Sequence, residues 1–130
     1  MNKGVRMRKI VSGVLVLVAV IHVLPLAGVL GAGKLFQLYG VPLQDPNLVL
    51  LMRHRAVLFG LLAALLGYAA LRPDWHRIAL VAGLVSVASF LWLWLDAPGT
   101  NGAMDTIARV DGVALALLVV AAIAHARGGR

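Results

Sequence analysis

The sequence predicts an all-α fold, a bundle of four transmembrane helices that run up, down, up and down. The first observation is composition: the 130 residues are 62% hydrophobic and 13% charged. A soluble domain has about 45–50% apolar and about 25% charged residues, so lipid must cover this chain. The second is the presence of four apolar stretches, each long enough or nearly long enough to cross a bilayer. The third is that short segments join them, as in one domain spanning residues 1–130.

The four apolar stretches predict helices at about residues 10–31, 48–71, 76–95 and 104–126. In lipid these segments must be helical, because an open strand would leave backbone groups unpaired. The first stretch follows a basic start, as a signal peptide does. Its apolar run exceeds 20 residues and no A-x-A site follows, so we expect it to remain as the first helix.

The connecting segments are rich in helix breakers. Residues 34–47 are predicted to form an extracytoplasmic loop, with Asp45 or Asn47 capping the second helix and Pro46 in its first turn. Residues 72–75 and 96–102 are predicted to be tight turns.

Charge predicts the orientation. One end of the predicted bundle collects eight basic residues and one acidic residue, Asp74, a net charge of +7. The basic residues are Lys3, Arg6, Arg8, Lys9, Arg72, Arg77, Arg127 and Arg130. The other end is neutral, so the positive-inside rule predicts a multi-pass inner-membrane protein with both termini in the cytoplasm. The basic face also suits anionic lipid headgroups, which explains the pI of 11.2 without nucleic acid as a partner.

Several kinds of chemistry are excluded by composition. The chain has no cysteine, so disulfides and thiolate metal sites are ruled out. All five acidic residues are Asp, which removes the Glu bridges of di-iron bundles. The sequence has no phosphate-binding glycine loop and no G-x-S-x-G elbow, so we recognise no catalytic motif and predict no metal site.

Ionisable side chains within apolar spans are costly, and each requires a reason. Seven polar side chains gather at the outer end of the predicted bundle: His22, Arg53, His54, Asp96, Asp105, Arg109 and Asp111. One interpretation is a structural ion-pair network that fixes helix register. A second is a pocket that binds an anionic or polar ligand through Arg53 and Arg109. A third is that these charges only ring the interface.

Helical spacing orients some of these side chains. Arg53 shares a face with Ala56 and Gly60, small residues typical of helix contacts, and is expected to point into the bundle. Arg55 is expected to point the opposite way, toward headgroups. Asp105 and Arg109 are four residues apart and can pair. Two histidines on neighbouring helices can ligate haem, but His22 and His54 are expected at different depths, so no cofactor is predicted.

Two runs of sequence resemble a family of small four-helix bacterial membrane proteins to which no activity is assigned. They are residues 47–60, which contain Arg53-His54-Arg55, and residues 82–92, which contain Ser86 and Ser89. The chain also resembles DoxX-type proteins distantly, through Gly31-Ala-Gly-Lys34-Leu-Phe, although its second helix lacks their acidic residue. Look-alikes sometimes carry the label phosphopantetheine adenylyltransferase. That enzyme is soluble and has an H-x-G-H motif, and this chain has neither feature.

The sequence leaves two classes of function open. The first is an accessory or interaction protein without enzymatic activity, a subunit of a homo-oligomer or of a larger membrane complex. The second is a ligand-handling membrane protein, such as a small transporter or a quinone- or lipid-binding redox partner, that uses the outer polar cluster.

Overall fold

The structure, a computed structural model, describes residues 2–128, and within that range it contains helices and no strand. The helices are α1 (Lys3–Val23), α2 (Ala32–Tyr39), α3 (Pro46–Leu71), α4 (His76–Asp96) and α5 (Gly102–Gly128), with 3₁₀ segments at Leu24–Leu30 and Pro73–Trp75. Four spans are long and apolar enough to cross a membrane: Lys3–Leu30, Pro46–Leu71, Pro73–Asp96 and Gly102–Gly128. The prediction of an all-α chain with four long apolar helices is confirmed. Arg130, counted above with the basic residues, lies outside the described residues.

The first span changes geometry at Pro25. Proline has no backbone N–H and cannot continue an α-helix, so α1 ends at Val23 and a 3₁₀ segment follows to Leu30. Gly31 then turns the chain, with a φ of 122° that only glycine adopts readily.

The prediction of a loop over residues 34–47 was wrong in its first half, because α2 extends to Tyr39. Gly40 ends α2 in the left-handed conformation. Leu35 and Tyr39 are buried, so this short helix packs against the rest of the bundle. Apolar side chains four residues apart lie on one face of a helix, which explains how so short a segment remains helical.

The predicted start of the second long helix is confirmed. The Asp45 carboxylate accepts a hydrogen bond of 2.8 Å from the Asn47 backbone N–H, and Pro46 is the first residue of α3. At α5, the Asn101 side chain accepts from the Met104 N–H at 2.9 Å in the same way.

The core lies along α1, which packs mainly against α3 and α5, while α4 packs mainly against α5. Many of its members are alanines, which let helices approach closely in a membrane protein. The buried core residues are Val11, Val14, Leu15, Val18, Ala19, Leu66, Ala69, Ala70, Ala79, Leu80, Val87, Ala114, Leu118, Ala121 and Ala124. Many large apolar side chains, such as Leu61 and Val85, remain exposed. Such a surface is typical of contact with lipid.

Two serine–histidine contacts join α1 to α4. Ser12 Oγ lies 3.3 Å from His76 Nε2, and His22 Nε2 lies 3.0 Å from Ser86 Oγ. The two α1 residues are ten apart, as are the two α4 residues, and they meet in the same order. The two helices therefore run in the same direction at this contact.

The bundle has two distinct ends. The basic end holds the start of α1, the turn at Pro73–Trp75 and the end of α5, where Met7 packs against Gly128. The loop end holds α2 and the turn before α5, where the Asn101 side chain donates to the Tyr39 carbonyl at 2.9 Å.

Candidate functional site

A cavity of about 200 Å³ lies inside the loop end, between all four spans and α2. Most of its wall is apolar, and the apolar residues are Ile21, Leu24, Pro25, Leu38, Phe59, Phe90, Ile107 and Val110. The polar residues are His22, Tyr39, Arg55, Ser86, Thr106 and Asp111. Pockets that bind small molecules have this character, mostly apolar with a few polar groups that orient the ligand.

His22 and Ser86 form one polar corner of the cavity. His22 is 2% exposed, and its Nδ1 lies 2.8 Å from the Val18 carbonyl oxygen. A carbonyl only accepts, so Nδ1 carries the proton and Nε2 of the neutral ring accepts from the Ser86 hydroxyl at 3.0 Å. The His22 ring also lies against Phe59, with the ring centroids 5.6 Å apart.

Arg55 forms the second polar corner. Its Nη1 donates to the Tyr39 hydroxyl at 2.9 Å, and its guanidinium lies over the Phe59 ring, 4.5 Å from the centroid. Tyr39 is 5% exposed, so α2 supplies a buried partner for this cation. A cation over an aromatic face is stabilised by about 0.5–2 kcal/mol, with the larger values where water is excluded.

Asp111 supplies the only acidic group on the cavity wall among the described residues. It is half-buried on α5. The cavity therefore contains one cationic and one anionic side chain, Arg55 and Asp111, on different helices. At 100° per residue, Asp111 and Arg109 lie on nearly opposite faces of α5, which explains why Arg109 is exposed.

The orientation predicted for the two arginines of α3 was wrong. Arg55 lines the cavity, whereas Arg53 is exposed and donates through Nε to the Val29 carbonyl at 2.8 Å. The buried positions of α3 include Ala56, Ala63, Leu66 and Ala70, and Phe59 lies four residues after Arg55. The packed face of α3 therefore includes Arg55 and excludes Arg53. The prediction was wrong because the stripe of small residues that Arg53 shares with Ala56 and Gly60 is not centred on this packed face.

The other predicted site residues lie outside the cavity. His54, Asp96 and Arg109 are exposed. The Asp105 carboxylate accepts from Trp94 Nε1 at 3.1 Å and from the Thr100 hydroxyl at 2.9 Å, so its hydrogen bonds close the turn between α4 and α5. Of the seven predicted residues, the structure brings only His22 and Asp111 together at the cavity. Whether these seven bind a ligand stays a prediction.

The histidines do not form a group suited to a cofactor. Both ring nitrogens of His22 are hydrogen-bonded within the chain, and His54 is exposed on α3. Within residues 2–128, no three His, Cys, Asp or Glu side chains lie close enough together to hold a metal ion.

No family model matches this chain. A search of curated proteins and a search of solved structures also found no match. The resemblance to small four-helix bacterial membrane proteins therefore stays a prediction, and the proposals below depend on the geometry of the chain itself.

Proposed function

We propose that the protein is a multi-pass protein of the bacterial inner membrane that binds a small amphipathic ligand in the loop-end cavity. One observation carries the proposal. A cavity of about 200 Å³ lies between helices apolar enough to span a membrane, and both apolar and polar side chains line it. Ionisable groups inside membrane spans are costly and generally mark functional positions.

Volume and charge indicate the ligand class. An apolar cavity of about 150 Å³ accommodates benzene, so this cavity can hold one or two fused rings or a short acyl segment. Arg55 and Asp111 contribute opposite charges, so an anionic ligand would add an uncompensated charge to a partly enclosed cavity, which is costly. We therefore propose a ligand with a neutral or zwitterionic polar group and an apolar body. This replaces the anionic ligand bound through Arg53 and Arg109.

The proposed topology is up-down-up-down with both termini in the cytoplasm. The parallel contact of α1 and α4 supports alternating directions, since one span separates them in sequence. The start of α1, the region around the Pro73–Trp75 turn and the end of α5 carry most of the described basic residues, and the positive-inside rule assigns the end that they form to the cytoplasm. The loop-end cavity then opens toward the outer leaflet or the periplasm.

Binding of three two-ring probes tests the proposal: 1-naphthol, 1,4-naphthoquinone and 1-naphthoate. The purified protein in neutral detergent should bind a neutral probe more tightly than 1-naphthoate. Dissociation constants would be measured by ligand-detected NMR, with empty micelles as the blank. The quinone and the naphthol also differ in hydrogen bonding, so their ranking shows whether the site mainly donates or accepts.

Arg55→Gln and Arg53→Gln form a matched pair, because each removes one positive charge from the same turn of α3. Arg55→Gln should weaken the binding of the preferred probe about tenfold, since it removes a charge-assisted hydrogen bond and leaves Asp111 without an opposite charge. Arg53→Gln should leave binding unchanged. Equal binding by the two variants, or no binding above the micelle blank, would refute the proposal.

An accessory role through self-association is a second candidate, and a different observation favours it. Gly67 on α3 and Gly112 on α5 have open space where a Cβ would lie, and Ala64 and Ala116 are exposed. Small residues on an outward face permit close contact with another membrane helix. Ala64→Leu and Ala116→Leu should then lower the oligomeric mass in mild detergent while the dissociation constants of the probes stay unchanged.

A further inference from the structure

A second cavity, of about 140 Å³, lies at the basic end between α1, the Pro73–Trp75 turn, α4 and α5. Three nitrogen-bearing side chains line it: Arg8, His76 and His125. No carboxylate is among its lining residues in the described part of the chain. It shares no lining residue with the loop-end cavity.

We propose that this second cavity binds a phosphate-sized oxyanion, either free or as part of an anionic lipid headgroup. Arg8 supplies a permanent charge and several N–H donors, the geometry that suits a tetrahedral oxyanion. The His125 imidazole can supply one further donor. No carboxylate among the described lining residues opposes an anion.

The histidine ring on α4 is fixed in place. His76 is 1% exposed, its Nε2 lies 3.3 Å from Ser12 Oγ, and its ring centroid lies 6.2 Å from that of His125 in an edge-on arrangement. A contact from α1 and a second imidazole from α5 therefore surround a buried polar side chain. Such an arrangement is costly in an apolar bundle, and it gives the cavity a rigid inner wall.

Size and position favour an oxyanion over water alone. A water molecule occupies about 30 Å³ in the liquid, so a cavity of 140 Å³ has room for a larger polar group. Basic pockets between membrane helices on the cytoplasmic side are typical sites for lipid phosphates. Arg8 is exposed, so a ligand can reach the cavity from the membrane surface.

Two matched pairs of variants test the proposal. Arg8→Gln and Arg6→Gln remove the same charge from neighbouring exposed positions of α1, but only Arg8 lines the cavity. His125→Gln and Arg127→Gln form a second pair on α5, in which only His125 lines it. Inorganic phosphate binding would be measured by calorimetry in neutral detergent. Binding of phosphatidylglycerol and of phosphatidylcholine would be measured by native mass spectrometry.

Arg8→Gln should weaken the binding of phosphate or phosphatidylglycerol about fivefold, the effect of one nearby Lys or Arg. His125→Gln should also weaken it, because the imidazole donor is lost, while Arg6→Gln and Arg127→Gln stay within twofold of the wild type. If excess inorganic phosphate displaces phosphatidylglycerol, the site takes the free ion. If phosphatidylglycerol binds and phosphate does not compete, the site takes the headgroup.

The proposal is overturned if Arg6→Gln weakens binding as much as Arg8→Gln, since the effect would then come from the general charge of the basic end. It is also overturned if the folded wild type binds no phosphate and shows no preference for phosphatidylglycerol over phosphatidylcholine. Both outcomes are separate from the test of the loop-end cavity, whose probes and variants are different.

Discussion

His22 Nε2 and Ser86 Oγ meet across the contact between α1 and α4 at 3.0 Å. The serine on α4 thus provides the partner for a histidine that is almost completely buried on α1. The contact fixes one wall of the loop-end cavity, and removing the Ser86 hydroxyl would measure how much this polar pair stabilises the bundle.

Ser86→Ala should destabilise the bundle. It leaves His22 Nε2 buried without a partner, which costs about 1–3 kcal/mol in the free energy of unfolding. Ser89→Ala is the control, because the exposed Ser89 hydroxyl donates only to the carbonyl of Ser86 on its own helix. Its effect should stay within about 0.5 kcal/mol. Unfolding in a denaturing detergent measures both, and equal midpoints would contradict the assigned role of Ser86.

Gly83→Val should destabilise the packing of α4 against α5. A Cβ at Gly83 would lie 3.3 Å from both terminal carbons of Leu118, so the larger side chain overpacks the core at a cost of about 1–3 kcal/mol. Gly13→Val introduces the same side chain where no neighbouring atom lies within 4 Å. The unfolding midpoint of Gly13→Val should match the wild type. A Gly83→Val midpoint that also matches would show that this contact is looser than described.

Asp105→Ala should weaken the turn between α4 and α5. The change removes the acceptor shared by Trp94 Nε1 and the Thr100 hydroxyl, each net hydrogen bond to a charged group contributing about 1.5–3 kcal/mol. Asp96→Ala removes an exposed carboxylate from the same turn and should have little effect. Comparing hydrogen exchange at the start of α5 in the two variants tests this, and similar protection would argue against the role of Asp105.

The proposed topology can be checked with cysteine labelling, since the natural chain contains no cysteine. Gln44→Cys and Pro98→Cys should react with a membrane-impermeant maleimide added to intact cells. Asp74→Cys should react only after the membrane is opened. All three positions are exposed in the structure, so accessibility differs only by side of the membrane. Labelling of Asp74→Cys in intact cells would reverse the orientation.

The sequence predicted the four long helices because hydrophobic length alone identifies them, and it predicted the α3 cap because Asp45-Pro46 is a local signal. It placed Arg53 and Arg55 on the wrong faces, because α3 is apolar almost all round. On such a helix only the neighbouring helices decide which face is packed. Phe59, four residues after Arg55, was the available signal, since an aromatic side chain there can cover a cation.

The rest of the loop-end cavity depends on long-range contacts that no local pattern contains. Tyr39 reaches Arg55 because α2 folds back over the bundle, whereas the Gly and Pro residues of this segment indicated only a loop. Ser86 was visible as a polar residue on α4, but its partner His22 lies 64 residues away. Asp111 lines the loop-end cavity, whereas Arg109, the expected partner of Asp105, turns outward.

The pair of serine–histidine contacts between α1 and α4 also limits how the bundle can move. The contacts are ten residues apart on each helix, about 15 Å along the axis, so a slip or a tilt of one helix against the other would break at least one of them. We therefore expect α1 and α4 to move as one rigid unit. A movement that widens the loop-end cavity is then expected in α2, α3 or α5 relative to that unit. The shortest of these helices is α2, which holds Tyr39 against Arg55.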